Sequence, residues 1–217
     1  MQILIIGSSG NMGQRYSACL RLLGHSIIPY DIGTREPILS LMEQCDKALV
    51  CTPTYQHYND VMMLINNGVD FLCEKPIYKD VETIEKILAK AKDREVTGHM
   101  VCNWKYVFDK PLEPGTCKID YNCYNTGKDG TAWDCIQLIY LAKGKPDIKT
   151  DSPVFSCSIN DKSVNRQMID YSYLNMMKRW LSDHCDLWTL DDAIEATKSV
   201  YRYMGIPVVE VIEGEAT

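Results

Sequence analysis

The stretch Cys51–Pro76, CTPTYQHYNDVMMLINNGVDFLCEKP, decides the fold of this 217-residue chain. It begins at the end of an apolar strand, turns at Thr52-Pro53, continues as an amphipathic helix over Tyr55–Asn67 and ends in a second apolar strand, VDFLCE. Two short apolar runs joined by a helix are typical of parallel strands in a sheet that is covered on both faces. The segment therefore predicts a strand–helix–strand unit, with Glu74-Lys75-Pro76 directly after its second strand.

The same alternation extends over the first hundred residues. Further apolar runs, QILIIG, HSIIPYD, KALVCT and VTGHMVCN, predict strands. The helices between them are predicted at Asn11–Leu23, Pro37–Gln44 and Lys79–Lys92. In the first of these helices, the residues expected to face the sheet are Met12, Ala18, Leu22 and Leu23. This order predicts an α/β domain over residues 1–103, built on a doubly wound parallel sheet with right-handed crossovers.

The regular alternation of strands and helices ends after Asn103. The runs CKIDYNCYN and PVFSCSIN predict strands that are half exposed. Helices are predicted at Thr131–Ala142, Met168–Leu181 and Asp191–Met204, the last with Thr189 as its cap. Residues 104–217 are therefore predicted to form a second, smaller α+β domain.

Composition and charge exclude several classes of function. The net charge of -6 gives no basic surface for nucleic acid or for an anionic membrane, and no apolar run is long enough to cross a bilayer. Met1 leads straight into a strand, which leaves no room for a signal peptide, so a cytoplasmic protein is expected. The ten cysteines contain no Cys-x-x-Cys pair, so we predict small buried hydrophobic residues in a reducing compartment and no metal site.

A glycine-rich turn follows the first strand. The residues Gly7-Ser8-Ser9-Gly10-Asn11-Met12-Gly13 lie between that strand and a helix, the context in which such a turn binds a nucleotide. Gly10 would let the backbone approach a pyrophosphate at the free amides of the helix, and Gly13 would allow close packing of helix and strand. The spacing departs from the strict dinucleotide fingerprint, and similar turns occur without a ligand. The candidate contacts are Gly7, Ser9, Gly10, Asn11 and Met12.

Two charged residues near the end of the second strand bear on the choice of nucleotide. Asp31 lies where a carboxylate would accept hydrogen bonds from the adenosine ribose, which favours NAD and repels the additional phosphate of NADP. Arg35 follows closely and would pair with that phosphate, so NADP stays open. The alternative for Asp31 is a turn-forming residue before Gly33.

The glycine turn and the Cys51–Pro76 segment together resemble the glucose-fructose oxidoreductase/inositol dehydrogenase (Gfo/Idh/MocA) family of nicotinamide-dependent enzymes. The resemblance implies that Thr52-Pro53, His57 and Glu74 lie beside the cofactor, with Lys75 at the mouth of its site. Lys75 also follows a buried strand and so points toward the crevice where parallel sheets bind ligands. The alternatives are a solvated loop lysine and, for His57, a residue at the helix edge.

The junction Asn103-Trp104-Lys105-Tyr106 looks like the one that follows the last strand of the first domain in this family. The resemblance implies that Asn103 and Lys105 face an anionic or polyhydroxylated substrate. A hinge that only packs the two domains together is the alternative.

The segment from Gly130 to Gln137 resembles the family helix that carries an Asp, a His four residues on and an acid three residues further. Counting back from Gly144 places Gly130, Asp134 and Gln137 at these positions, so the chain departs from the pattern at all three. A buried Asp can exchange a proton if its pKa is raised, whereas Gln cannot. We name Lys75, Asp134 and Gln137 as the candidate catalytic residues, and the alternative for Asp134 is a solvated helix residue.

These observations predict an NAD(P)-dependent oxidoreductase that transfers a hydride to or from a sugar, a sugar nucleotide or a related small polyhydroxylated substrate. A nucleotide-binding regulatory or structural subunit without dehydrogenase turnover is the alternative, because the helix positions are altered. The 114 residues after Asn103 are fewer than the family's usual second domain (217 − 103 = 114). We therefore expect exposed apolar surface there and a homodimer or higher homo-oligomer built on residues 104–217.

Overall fold

The computed structural model describes residues 1–124 and 131–208. Five parallel strands of the first sheet come from the first hundred residues, in the spatial order β5-β4-β3-β1-β2. They are β1 (Gln2–Ile6), β2 (Ser26–Tyr30), β3 (Lys47–Val50), β4 (Phe71–Cys73) and β5 (Gly98–Met100). The helices between them are α1 (Asn11–Leu22), α2 (Ile38–Met42), α3 (Thr54–Asn66) and α4 (Val81–Asp93). The predicted α/β fold with a doubly wound parallel sheet is confirmed.

The burial of the strands explains this sheet. The central strands β1, β3 and β4 are almost wholly apolar and are buried on both faces, as parallel strands between two helix layers must be. Pro29 lies in β2, which is the edge strand, where a residue without an N–H group costs no ladder hydrogen bond on the outer side. The chain winds from β1 toward β2 on one side and then returns to β3 on the other. This reversal opens a crevice between the ends of β1 and β3.

The second sheet has four strands in the order β7-β6-β8-β9. They are β6 (Ile119–Tyr124), β7 (Asp147–Lys149), β8 (Asp151–Ile159) and β9 (Lys162–Ser163). The accompanying helices are α5 (Thr131–Asp134), α6 (Ile136–Leu141), α7 (Arg166–Trp180) and α8 (Leu190–Met204), and a 3₁₀ turn covers Asn103–Tyr106. Thr189 caps α8 in a capping box with Asp192, as the sequence predicts for that helix start.

The chain returns to the first sheet near its end. Strand β10 (Trp188–Thr189) pairs antiparallel with β5, and α8 packs against α4 and α6. Residues beyond 103 thus complete the first sheet as its sixth strand. The division of the chain at residue 103 into two units stays a prediction.

Two local predictions are corrected by the structure: the inward face of α1 and the single helix over residues 131–142. Helix α1 buries Tyr16, Ser17 and Leu20, whereas the predicted Ala18 and Leu22 are exposed. The predicted Met12 and Leu23 are partly buried and do pack against the core. Gly13 lies so close to the backbone of Gly7 and Ser8 that no side chain fits there, and this contact fixes which face of α1 meets the sheet.

The predicted helix over residues 131–142 is two short helices. The break falls at Cys135, with φ −98° and ψ 12°, so α6 ends at Leu141 with Ala142 as its cap. Gly144 follows in a turn with φ 79°. Among the described residues, no helix combines the length and the apolar character needed to cross a membrane.

Candidate active site

The turns that follow β1 and β3 meet at the crevice of the first sheet. Gly7 has φ +85°, and a Cβ atom there would lie 2.8–2.9 Å from backbone atoms of Cys51 and Thr52. The N–H groups of Gly7 and Ser8 both donate to the carbonyl oxygen of Tyr30, at 2.9 and 3.1 Å. Only glycine fits this position, and the glycine turn and the Thr52-Pro53 turn are thereby brought into direct contact.

A cleft of about 570 Å³ opens above these turns. Its wall includes the predicted contacts Gly7, Ser9, Gly10, Asp31, Thr52 and Pro53. Ile32 and Tyr55 also line it, and their side chains are 96% and 73% exposed. Exposed apolar side chains beside a polar turn supply the flat surface that a base or ribose needs. We name this space the nucleotide cleft.

The N-terminus of α1 faces the nucleotide cleft without a side-chain cap. Gly10 is the N-cap residue in extended conformation, and no side chain accepts from the first amides of the helix. Unpaired N–H groups at a helix start bind anionic groups such as a pyrophosphate. Asn11 opens the helix and is exposed, and it does not line the cleft.

Asp31 is held against the glycine turn. Its Oδ2 accepts hydrogen bonds from the Ser9 N–H, at 2.8 Å, and from the Ser9 hydroxyl, and its Oδ1 accepts from the Ile32 N–H at 2.7 Å. The Ser9 hydroxyl and then the Ser9 amide hold the pKa of this carboxyl below its ordinary value of 3.8. The group is therefore an anion at neutral pH. Arg35 is exposed and does not line the cleft, so the structure does not bring it to the nucleotide.

A second cleft, of about 300 Å³, continues beyond the Thr52-Pro53 turn, which lines both spaces. Its wall brings together most of the remaining predicted residues: Met12, Thr52, Pro53, His57, Glu74, Lys75, Asn103 and Gln137. We name it the substrate cleft.

Glu74 and Lys75 enter the substrate cleft from the end of β4. The buried Glu74 carboxylate accepts from the Tyr16 hydroxyl at 2.5 Å and from the Lys75 N–H at 3.0 Å. Burial, followed by the charge of Glu74, raises the pKa of Tyr16 well above its ordinary value, so Tyr16 remains a neutral donor. These bonds fix the backbone from which the Lys75 side chain extends.

The Lys75 side chain crosses to the second half of the chain. Its Nζ lies 3.6 Å from Asp134 Oδ1 and donates to the Asp134 carbonyl oxygen at 3.3 Å. Asp134 is the last residue of α5, which ends at the break before Cys135. The structure therefore pairs two of the candidate catalytic residues, although Asp134 does not itself line the cleft.

Gln137 and Asn103 form a closed network. The Gln137 Nε2 donates to Asn103 Oδ1 at 3.0 Å, and Gln137 Oε1 accepts from the Trp104 N–H at 3.1 Å. Asn103 Nδ2 donates in turn to the Ser172 hydroxyl at 3.1 Å. Both amide side chains are buried, and these bonds join the 3₁₀ turn, α6 and α7.

Lys105 lies away from the substrate cleft. Its Nζ donates to the Asp186 carbonyl oxygen at 2.6 Å and is 3.9 Å from Asp186 Oδ2. The side chain is almost fully buried, and it does not line the substrate cleft. The structure therefore does not bring Lys105 to the substrate, because the loop before β10 holds it.

Sequence reasoning missed several residues of the clefts. Tyr173 comes from α7 and packs edge-on against Tyr16, with ring centroids 5.8 Å apart, and it lines the substrate cleft. Burial raises its pKa to about 12. Nothing in the sequence around Tyr173 distinguishes it from other aromatic residues of the helix. Tyr55, in contrast, closely follows the Thr-Pro turn, and this local signal indicates a position beside the cleft.

Metal chemistry receives no support from the described part of the chain, in which no cluster of three His, Cys, Asp or Glu side chains is positioned to hold an ion. All ten cysteines are free thiols, and Cys185 is the exposed one among them. Gly130, aligned with the family's first Asp, lies outside the described residues.

Comparison with known proteins agrees with this geometry. Residues 31–101 match the model of the Gfo/Idh/MocA family, described as an oxidoreductase family with an NAD-binding Rossmann fold. The predicted resemblance is confirmed over these residues, which make up about a third of the chain. Among curated proteins, none shows a significant sequence match.

Solved structures extend the likeness of fold to the second sheet. The WlbA (WbpB) dehydrogenase from Thermus thermophilus, in complex with NAD and UDP-GlcNAcA, is 15% identical, with a TM-score of 0.71 over 97% of this chain and 96% of that chain. A probable dehydrogenase from Thermotoga maritima is 13% identical, with a TM-score of 0.75 over 94% and 96%. The UDP-N-acetylglucosamine 3-dehydrogenase GnnA from Acidithiobacillus ferrooxidans is 12% identical, with a TM-score of 0.66 over 95% and 97%.

Proposed function

We propose that this protein is an NAD-dependent dehydrogenase or reductase of a sugar, a sugar nucleotide or a related small polyhydroxylated molecule. The observation that carries the proposal is the position of Lys75. Lys75 lines the substrate cleft, which shares the Thr52-Pro53 turn with the nucleotide cleft. A cation in a cleft that adjoins the nucleotide site would act on a substrate oxygen beside a bound nicotinamide.

The residues of the nucleotide cleft fit NAD. The uncapped start of α1 would bind the pyrophosphate, and Gly7 and Gly10 keep side chains out of its path. Asp31, held ionised by Ser9, would accept from the hydroxyls of the adenosine ribose and repel the additional phosphate of NADP. Bound NAD would supply a hydride acceptor at nicotinamide C4.

Lys75 would bind the reacting oxygen of the substrate. In reduction the ammonium form of Lys75 would donate a proton to the carbonyl oxygen while the carbonyl carbon receives the hydride from reduced nicotinamide. In oxidation the neutral amine form of Lys75 would accept the hydroxyl proton while the hydride passes to oxidised nicotinamide. Asp134, 3.6 Å from that nitrogen, would hold the ammonium group over the cleft. Gln137 and Asn103 would form the wall of the site, because their amide groups bond to each other and to neighbouring residues.

The substrate class is the finer part of the proposal. Two proteins of the same fold carry titles that name UDP-sugars, one as a bound ligand and one as a substrate. The substrate cleft, at about 300 Å³, has room for a sugar ring, and its polar wall offers both donors and acceptors.

Binding and turnover test the proposal separately. Calorimetry should show NAD(H) binding, and a panel of sugars and sugar nucleotides should change the absorbance of reduced nicotinamide. Lys75→Met keeps the apolar stem and should lower kcat by about 10²–10⁴-fold with little change in NAD affinity. Lys86→Ala is the matched control, because Lys86 is an exposed lysine paired with Glu82 on α4.

The outcomes separate the two candidate functions. No binding of NAD(H) or NADP(H) would refute both of them. Binding without turnover on any substrate of the panel would favour the regulatory or structural subunit, in which the altered positions Asp134 and Gln137 no longer support catalysis.

We also propose a homodimer through the second sheet. Val154 on β8 is 67% exposed, which leaves a large apolar side chain open to solvent on that sheet. Helix α7 adds less exposed apolar surface than the sequence predicts, because Met176, Met177 and Trp180 are buried within the chain. Light scattering at micromolar concentration should give twice the chain mass of 24.8 kDa, and Val154→Glu should halve it. A wild-type monomer would contradict the dimer.

A further inference from the structure

His57 lines the substrate cleft, and both of its ring nitrogens are engaged. The residue belongs to α3, and its side chain is 1% exposed. Nδ1 lies 2.9 Å from the carbonyl oxygen of Pro76, and Nε2 lies 2.7 Å from the carbonyl oxygen of Thr52. Both distances are those of hydrogen bonds, and both partners are backbone carbonyl groups.

The chemistry of these partners determines the protonation of the ring. A carbonyl oxygen only accepts, and a neutral imidazole donates from one nitrogen and presents a lone pair at the other. In the neutral ring, one lone pair would therefore face a carbonyl lone pair inside the protein. We propose that His57 is a doubly protonated positioning residue, which ties the Thr52 turn to the Pro76 turn and so holds Lys75 at the substrate cleft. The part that concerns Lys75 rests on the proposed function.

The charges around the ring fit this state. Asp60, one turn further along α3, accepts from the Thr52 hydroxyl at 2.5 Å, so its carboxylate lies beside the turn that His57 holds. The pKa of Asp60 is raised overall by burial, and the Thr52 hydroxyl and then the charge of His57 offset part of this rise. Glu74 and Lys75, which follow β4, line the same cleft as the ring. Of these two, the Glu74 carboxylate is the counter-charge, because Lys75 is itself a cation. A buried cation needs such counter-charges, because an unpaired one is costly to remove from water.

The position of the ring explains how it would act on the reaction. Thr52 lines both clefts, and Pro76 directly follows Lys75, so one side chain connects the turn between the clefts with the base of the lysine. With both nitrogens bonded to carbonyl groups, His57 has no donor left for the cofactor. A role in direct cofactor binding, which the family resemblance implies, is therefore replaced in this proposal by positioning.

His99 provides an internal contrast. It lies on β5 and is 8% exposed, its Nε2 is 3.5 Å from Cys185 Sγ, and its Nδ1 has no partner among the described residues. Burial lowers the pKa of His99, so this ring is neutral at pH 7. The chain therefore contains two buried histidines for which we expect opposite charge states.

Nitrogen-15 NMR of the histidine rings tests the charge directly, without any substrate. In the wild-type protein at neutral pH, both His57 nitrogens should show the shift and the coupling of protonated nitrogens, whereas His99 should show one unprotonated nitrogen. The His57 signals are assigned by replacing the other three histidines, His25, His99 and His184. An unprotonated nitrogen in His57 would overturn the proposal. Failure of the proposed function would leave this spectrum unchanged, so the two failures are distinguishable.

His57→Gln tests the positioning role. A glutamine amide donates from one end only, so one of the two carbonyl groups loses its donor. We expect kcat to fall by about 10²-fold, because a displacement of about 1 Å at a reacting group has that cost, and NAD affinity to change much less. Unchanged kcat, or lost NAD affinity with kcat retained, would overturn the role.

If His57→Gln does not fold, the positioning role can still be tested in the wild-type protein. The pH at which the spectrum shows loss of the second His57 ring proton should coincide with a fall in kcat. A kcat that stays constant through that loss would overturn the positioning role, whatever the state of the variant.

Discussion

The two clefts are built in different ways. The nucleotide cleft consists mainly of backbone: a glycine turn, the uncapped start of α1 and one carboxylate, Asp31, fixed by Ser9. The substrate cleft depends on side chains from distant segments, such as Lys75 against Asp134 and Gln137 against Asn103. A site made of backbone at the ends of parallel strands follows from local sequence, whereas a side-chain network depends on how the two sheets pack.

The largest expected effect comes from Gly7→Ala. Any Cβ there would lie 2.8–2.9 Å from backbone atoms of Cys51 and Thr52, which cannot move without shifting β3. We expect the free energy of unfolding to fall by about 1–3 kcal/mol beyond the cost of the left-handed backbone. NAD binding should be lost as well. Urea unfolding and calorimetry measure the two effects.

Gly24→Ala is the matched control for Gly7→Ala. Gly24 has φ +81°, and a Cβ there would meet no atom within 4 Å, so only the backbone cost of about 1 kcal/mol applies. Equal losses of stability in the two variants would show that the contact between the turns does not constrain the nucleotide cleft.

Gln137→Leu tests whether the substrate cleft depends on its amide network. The change leaves the Trp104 N–H and Asn103 Oδ1 without their partners in a buried region, so we expect a loss of about 2–3 kcal/mol in the free energy of unfolding. Under conditions in which the variant stays folded, kcat should remain within about tenfold of the wild-type value, because the amide group does not move a proton.

The control for this change is Gln44→Leu. Gln44 is an exposed amide just after α2, bonded to Glu36 and to the Ser40 carbonyl, and its replacement should alter stability by less than about 0.5 kcal/mol. Wild-type stability combined with lost turnover in Gln137→Leu would instead make Gln137 a catalytic residue.

The smallest expected effect concerns Asp31. Asp31→Asn should weaken NAD binding by about tenfold, because hydrogen bonds to a charged acceptor contribute about 1.5–3 kcal/mol, and should improve NADP binding by removing a negative charge. Asp46→Asn is the control, since Asp46 also accepts from a backbone N–H, that of Gln2, at the opposite end of β1. An unchanged preference between the two nucleotides would contradict the role of Asp31.

The stability difference between the wild-type protein and Asp31→Asn should also depend on pH. The pKa of Asp31 is lowered in the folded protein, so its contribution to stability is present above the ordinary value of 3.8 and is lost as the pH falls through the folded value. The stability difference between wild type and Asp31→Asn should therefore shrink below pH 3.8, and urea unfolding at decreasing pH measures it. A difference that grows on acidification would contradict the assignment.

Much of the nucleotide half could be predicted because its signals are local. Apolar runs with intervening helices define the sheet, and glycine positions define the turn, so Gly7, Asp31, Thr52 and Lys75 were all assigned to the correct edge. The face of α1 was wrong because the contact at Gly13, rather than hydrophobic periodicity alone, orients the helix. The break at Cys135 was missed, since the pattern over residues 131–142 predicts one helix and contains no glycine or proline that would signal a break.

The sequence by itself determined the alternation of strands and helices, the turn chemistry and the strand-end lysine, because each depends on residues close together in the chain. Tertiary structure decided which side chains meet across the chain. Lys75 and Asp134 are separated by 59 positions, and Lys105 is bonded to Asp186 at a separation of 81 positions. It also decided that strand β10 returns to the first sheet and that both nitrogens of His57 face carbonyl groups. Such contacts depend on the relative placement of whole elements, which no local pattern encodes.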